Sequence, residues 1–177
     1  MNLEAQVETL KTAIRDVPDF PKPGIVFKDI TTLLQDAVLF RRTVDLLVVL
    51  AGDRPVDRIV AIESRGFLLG GALAHRLGAG LVLVRKPGKL PWKTVSASYE
   101  LEYGTDSVEM HEDALAAGDR VLVVDDVIAT GGTARAVGEL TEGLGATISA
   151  YLFLAELTFL NGRKQLPGQE ILSLIRY

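Results

Sequence analysis

One string restricts the possible folds of this chain more than any other: Val121-Leu122-Val123-Val124-Asp125-Asp126-Val127-Ile128-Ala129-Thr130-Gly131-Gly132-Thr133. Its apolar opening, residues 120–124, reads as a strand buried on both faces, the pattern of parallel sheets. Two adjacent carboxylates follow, then a loop of small residues, then a helix expected over 133–144. In a parallel sheet such a strand, loop and helix place a ligand beyond the carboxyl end of the strand. Gly131 and Gly132 carry no side chain, so backbone N–H groups can approach an anion closely. The helix start adds unsatisfied donors and the positive end of a dipole, and Thr130 and Thr133 add hydroxyls. Ala129, Thr130, Gly131, Gly132 and Thr133 thus form a candidate phosphate cradle. Asp125 and Asp126 are candidate acceptors for ribose hydroxyls, able also to hold magnesium through water. Neither GxxxxGK[ST] nor a GxGxxG after a strand occurs, which argues against a P-loop kinase and a dinucleotide fold.

The rest of the chain repeats the alternation of strand and helix. Leu3, Val7, Leu10 and Ile14 recur at helical spacing, so 3–15 reads as an amphipathic helix stopping before Pro18. Pro21-Lys22-Pro23-Gly24 is a stiff turn, followed by a short apolar piece at 25–27. Asp36 is placed to cap a helix running to about Leu50, and Gly52 and Pro55 break the chain after it. Strands are expected at 58–62, 81–84 and 147–154, with an edge strand at 171–175 and a helix over 66–77 ended by Gly78. Residues 85–97 read as a basic loop, and the alternation at 99–103 and 107–111 as a hairpin around Gly104-Thr105. The expected fold class is α/β, a mostly parallel central sheet flanked by helices. A length of 177 residues suits one domain, with 1–35 an appendage on an α/β core at 36–177.

Cysteine is absent, which excludes disulfides, thiolate zinc sites and cysteine nucleophiles. His75 and His111 lie far apart and lack metal-ligand spacing. The N-terminus lacks the features of a signal peptide and no apolar run reaches the length of a membrane span, so a cytoplasmic location with no membrane partner is expected.

The net charge of −4 argues against a nucleic-acid partner, yet the total conceals an uneven distribution. Between Ser64 and Tyr99 there is no Asp or Glu, while Arg65, Arg76, Arg85, Lys86, Lys89 and Lys93 all fall there. The remainder carries thirteen cations and all 23 acids. A basic segment on an acidic body outlines a site for a small polyanion.

The string at 121–133 resembles the phosphoribosyl-pyrophosphate signature of the type I phosphoribosyltransferases. Three other segments resemble the adenine-using members of that family. They are Phe20-Pro21-Lys22-Pro23-Gly24-Ile25-Val26-Phe27-Lys28-Asp29-Ile30-Thr31, Glu63-Ser64-Arg65-Gly66-Phe67 and Leu101-Glu102-Tyr103-Gly104. All stand in the family's order, and the resemblance covers nearly the whole chain. Two residues depart from it: Thr32, where the family usually has proline, and Trp92, where a smaller or polar residue is expected.

The resemblance implies the type I phosphoribosyltransferase fold with an N-terminal hood segment that binds the base. It implies that adenine and 5-phosphoribosyl 1-pyrophosphate give AMP and pyrophosphate, with magnesium held mainly by substrate and water. It assigns the 5′-phosphate to 129–133 and pyrophosphate to the Arg65 turn, which carries a cis non-proline peptide. An arginine fork matches phosphate oxygens. Arg85, Lys86 and Lys89 then belong to a loop that neutralises the departing polyanion, some of whose residues can reach a neighbouring subunit. The resemblance makes Glu102 the carboxylate beside the base, with Tyr103 near the same mouth. Val26, Phe27 and Lys28 form the base pocket, Phe27 stacking and the backbone of the other two reading the purine edge. It further implies a homodimer. Two other readings remain at this level: the same fold acting on hypoxanthine, guanine, xanthine or orotate, and a regulator that senses phosphoribosyl pyrophosphate without turning it over. At this length no winged-helix module is expected beside the core, which argues against the regulator.

Overall fold

In the computed structural model, which describes residues 2–100 and 104–177, the chain divides into two units, Met1–Leu46 and Leu47–Tyr177. The first begins with α1 (Leu3–Ala13), whose start is capped by Asn2 Oδ1 accepting from the Ala5 N–H at 2.8 Å. The helix is shorter than its periodicity predicts. Ile14 turns extended and the chain enters β1 (Arg15–Pro18), which pairs antiparallel with β2 (Val26–Asp29). The turn-rich stretch between them closes this ribbon, with Phe20–Pro21 cis, Gly24 at φ +86° and the Gly24 N–H donating to Asp19 Oδ1. No alternation marked β1 as a strand, because it is short and mostly exposed. Helix α2 (Thr31–Gln35) follows. Its Thr32 hydroxyl donates to the Ala13 carbonyl at 2.6 Å, so this departure from the family pattern closes the end of α1, a bond proline could not make. Helix α3 (Ala37–Ala51) starts as expected, with Asp36 Oδ1 accepting from the N–H groups of Val38 and Leu39.

In the second unit, β3 (Arg58–Ile62), α4 (Gly66–Leu77) and β4 (Gly80–Val84) form one strand-helix-strand unit of the expected type, its strands parallel. The hairpin β5 (Thr94–Glu100) and β6 (Thr105–His111) comes next, then β7 (Arg120–Ile128), α5 (Gly132–Gly143) and β8 (Thr147–Glu156). Two 3-10 turns, Thr158–Leu160 and Gly162–Gln165, lead to β9 (Ile171–Arg176). The sheet has the order β4-β3-β7-β8-β9, every neighbouring pair parallel. The expected α/β class holds, with the central sheet wholly rather than mostly parallel.

The sheet's inner residues explain its continuous apolar runs. Val60, Ile62, Val121, Val123 and Phe153 pack with Ala136, Val137 and Leu140 of α5 and with Val108 and Met110 of β6. The strand positions of opposite parity, Ile59 and Ala61, meet α4, where a Cβ on Gly70 would lie 2.5 Å from that of Ala61. No described helix is long and apolar enough to cross a membrane.

Two boundaries differ from the sequence reading in ways that affect the site. The basic loop is 85–93 rather than 85–97, because cross-strand pairing with β6 begins at Thr94. Strand β7 continues past Val124 to Ile128, because β8 is long enough to pair with it as far as Glu156. Asp125 and Asp126 therefore stand within a strand rather than at the head of a loop.

Candidate active site

Neighbouring strands β4, β3 and β7 all end on one side of the sheet, and the residues that follow them make the site. After β3 the Glu63–Ser64 peptide is cis, as the resemblance implied, and the Glu63 N–H donates to the Val84 carbonyl at 2.9 Å. Arg65 is the cap residue of α4. A Cβ on Gly66 would lie 2.9 Å from Asp125 Oδ1 and 3.0 Å from the Val124 carbonyl, so only glycine lets α4 start this close to β7.

Successive strand residues point to opposite faces, and the two carboxylates accordingly have different surroundings. Asp126 is buried, with Oδ2 2.5 Å from Arg65 Nε. That oxygen accepts no hydrogen bond among the described residues, so the contact is an ion pair only. Asp125 Oδ1 accepts the Asp126 N–H at 2.8 Å. Burial, and then the charge of Asp126, push the Asp125 carboxyl well above the usual carboxylate range.

At the end of β7, a cavity of about 90 Å³ is lined by Asp125, Ala129, Thr130, Gly131, Thr133 and Phe153 among others. Gly131 caps α5 at φ +86° and offers no side chain to the helix's first N–H groups. A Cβ there would collide with the Gly162 carbonyl, and one on Gly162 would collide with the Ala129 carbonyl. The 3-10 turn at Gly162–Gln165 thus backs the cradle. It is held by Arg163, whose Nε and Nη2 donate to the two oxygens of buried Glu156 at 2.6 and 2.7 Å.

Three of the four cations of the basic loop, Arg85, Lys86 and Lys89, gather on two acids. Arg85 Nε lies 3.3 Å from Glu63 Oε2, the Lys86 N–H donates to the same oxygen at 3.0 Å, and the Lys89 ammonium pairs with Oε1. Burial alone would raise the Glu63 carboxyl, but the hydrogen bonds from Lys89, the Lys86 backbone and Arg85 outweigh it and bring it down to about 2. The Lys86 side chain instead pairs with Asp106, whose hydrogen bond holds the ammonium above its usual range. The loop's start is pinned to β6 by reciprocal backbone bonds between Arg85 and Glu109 at 2.9 and 2.7 Å. Trp92 is exposed, and its backbone N–H donates to His111 Nε2 at 3.4 Å.

The structure thus brings together Arg65, Asp125, Asp126 and 129–133, and places Arg85 and Lys89 on Glu63, next to the Arg65 turn. Glu102 and Tyr103 lie outside the described residues. In the first unit, Val26, Phe27 and Lys28 stand consecutively on β2. The Phe27 ring meets Phe20 edge to face with centroids 5.2 Å apart, and Lys28 Nζ pairs with Asp16 Oδ1 at 2.6 Å. Sequence reasoning assigned nothing to Glu63, Tyr99, Asp106 or Gly162. Glu63 was visible as a member of Glu-Ser-Arg-Gly, whereas nothing local marked the other three.

Fold and site together define a phosphoribosyltransferase. A model described as the phosphoribosyl transferase domain matches residues 48–161, and the chain belongs to that family. Its relatives narrow the class. A protein of Geobacter metallireducens named adenine phosphoribosyltransferase is 58% identical over 97% of this chain and 100% of its own length. The crystal structure of adenine phosphoribosyltransferase from Thermoanaerobacter pseudethanolicus matches with a TM-score of 0.95 at 54% identity, covering 97% of this chain and 99% of that one. The enzyme of that name from Saccharomyces cerevisiae, solved with an imino-altritol bisphosphate and adenine, matches with a TM-score of 0.91 at 43% identity, covering 97% and 99%.

Proposed function

We propose that the chain transfers the 5-phosphoribosyl group from phosphoribosyl pyrophosphate to adenine, giving AMP and pyrophosphate, as a step of purine salvage. The observation that carries this reading is the cavity of about 90 Å³ at 129–133, bounded by Asp125 and lying one strand away from the Arg65 turn. In the reaction the anomeric C–O bond breaks, its electron pair leaves with pyrophosphate, and a purine ring nitrogen bonds to the same carbon as the purine's imidazole N–H proton is lost to a carboxylate or to the departing pyrophosphate. The transition state resembles an oxocarbenium ion. Ala129, Thr130, Gly131, Gly132 and Thr133 hold the 5′-phosphate, fixing the non-reacting end and so orienting the reacting carbon. Asp125 and Asp126 accept from the ribose hydroxyls. Arg65, Arg85, Lys86 and Lys89 receive the pyrophosphate charge as it develops. Val26, Phe27 and Lys28 bind adenine, and the salt bridge of the Lys28 side chain to Asp16 supports backbone readout at that residue. Glu102 is the carboxylate that serves the base, on the strength of the resemblance.

Magnesium fits this site. Among the described residues the buried Asp126 Oδ2 accepts no hydrogen bond and has only the Arg65 cation beside it, and hard cations are held by carboxylate oxygens directly or through water. Asp125 and Asp126 would hold the ion's waters, and the ion would neutralise phosphate charge. The protein is a cytoplasmic homodimer in this reading. Leu81 and Leu83, exposed on the edge strand β4, support a partner surface there.

A turnover assay with adenine, phosphoribosyl pyrophosphate and magnesium, run beside hypoxanthine, guanine, xanthine and orotate, tests the reading. AMP formation in preference to the other products is expected, and a preference for a 6-oxo purine would overturn the base assignment. Changing Asp125 and Asp126 together to Asn should abolish turnover with the fold intact; full turnover in that variant would sink the site. Sedimentation of the purified protein tests the dimer, and a monomer at assay concentration refutes it.

A further inference from the structure

We propose that Tyr99 and Asp106 are positioning residues for phosphoribosyl pyrophosphate, tying the Lys86 ammonium to the 129–133 cradle through the hydrogen bonds of Asp106 and the packing of the Tyr99 ring on Gly132. The proposal rests on the reading that the cradle and Lys86 hold opposite ends of that substrate. Tyr99 and Asp106 stand directly across from one another in the β5–β6 ladder. The Tyr99 hydroxyl donates to Asp106 Oδ2 at 3.2 Å. The Lys86 ammonium pairs with the same oxygen, while Oδ1 accepts the Ser107 N–H at 2.9 Å. The Tyr99 ring is buried against the start of α5, where a Cβ on Gly132 would lie 3.2 Å from its Cδ2.

The chain of contacts therefore runs from Gly132 through Tyr99 and Asp106 to Lys86. Its two ends are residues assigned to the substrate, and its two middle members have no other assignment. A lysine carries its charge on a flexible four-carbon stem, and ordering such a side chain on binding costs affinity. A carboxylate held by a phenol and a backbone N–H removes that cost beforehand. The opposite role is a competing counter-ion, in which Asp106 withholds Lys86 from the substrate. The two roles differ in sign: removing the Asp106 charge weakens substrate binding in the first and strengthens it in the second.

The test is steady-state kinetics on Tyr99→Phe, Asp106→Asn and the double variant, with melting temperatures checking the fold. Each single change should raise the KM for phosphoribosyl pyrophosphate about five- to tenfold, the size of one hydrogen bond. The KM for adenine and kcat should stay within about twofold, as expected for a loss confined to one substrate. The double variant should be no worse than the weaker single one, because both cut the same chain. A fall in the KM for phosphoribosyl pyrophosphate in Asp106→Asn, an unchanged value in Tyr99→Phe, or additive effects would each overturn the proposal. Should Tyr99→Phe fail to fold, Asp106→Asn in a Lys86→Met background decides: no further rise in KM supports the chain, and a further rise refutes it. Lys86→Met and Thr133→Ala serve as separate controls. If neither alters that KM, the substrate assignment of both ends has failed and the proposal falls with it, whereas altered controls beside silent Tyr99 and Asp106 variants refute the chain alone.

Discussion

Arg65 and Asp126 form an ion pair of 2.5 Å between Nε and Oδ2, joining the turn after β3 to the interior of β7. The carboxylate side is buried while the guanidinium is about one-third exposed, with side-chain values of 6% and 35%. Removing the cation leaves a buried carboxylate unpaired, which is the costly half of such a pair. Solvent screening of Arg65 reduces that cost, so Arg65→Gln should lose about 1–2 kcal/mol of unfolding free energy. Asp126→Asn in that background should return part of the stability. Pyrophosphate affinity should fall in both and should not be restored. Urea denaturation and titration calorimetry with pyrophosphate check the two halves separately.

Asp125 has the opposite problem. Its carboxyl is pushed up, so its ionised form is less stable in the folded chain than in the unfolded one. For an acid raised in this way, stability is lost as the pH rises through the ordinary carboxylate range and beyond. Asp125→Asn keeps an acceptor for the Asp126 N–H and removes the charge. It should therefore gain about 1 kcal/mol and raise Tm by about 2–4 °C at neutral pH, while turnover falls. Calorimetry at two pH values tests this, and a lower Tm for the variant at neutral pH would contradict it.

Glu63 should give an acid limb to the stability curve. Its carboxyl is lowered from an ordinary 4.5 to about 2, so its pairing stabilises the fold fully above 4.5 and that contribution is lost as the pH falls toward 2. Tm measured against pH should drop across that window. Glu63→Gln should flatten the drop and start from a lower Tm at neutral pH, because Arg85 and Lys89 lose their shared partner.

The cradle depends on backbone contact, which glycine substitutions read directly. Gly131→Ala combines φ +86° with a collision against the Gly162 carbonyl, so it should cost about 2–3 kcal/mol and abolish binding of phosphoribosyl pyrophosphate. Gly71 lies in α4 with nothing within 4 Å of an added Cβ. Gly71→Ala should be neutral or stabilising by up to about 1 kcal/mol. Equal losses in the two variants would show that the cradle's contact with Gly162 is unimportant.

Much of this architecture was legible beforehand because it is local. Asp36 announces α3 through its own side-chain bonds to Val38 and Leu39, and Gly78 ends α4 at φ +67°. The cradle was legible for the same reason, since a strand, two glycines and a helix start are consecutive in the chain. The ribbon β1–β2 was not. Four mostly exposed residues carry no periodic signal, and their strand character comes from the partner at Val26–Asp29. Nor was the end of β7, which is set by the length of β8.

The sequence by itself determined the order of strands and helices, the anion-binding character of 129–133 and the acid-free interval that outlines a site for a polyanion. Those properties follow from backbone preference, hydrophobic period and charge, each readable within a few residues. Only the tertiary structure decided which acid receives which cation. Glu63 meets Lys89 across 26 positions and Asp106 meets Lys86 across 20, so the interval without acids is neutralised by acids outside it. Only the fold, too, separates Asp125 from Asp126. Adjacent in sequence and identical in chemistry, they take opposite faces of one strand; one is pushed toward its neutral form, and the other is paired with Arg65.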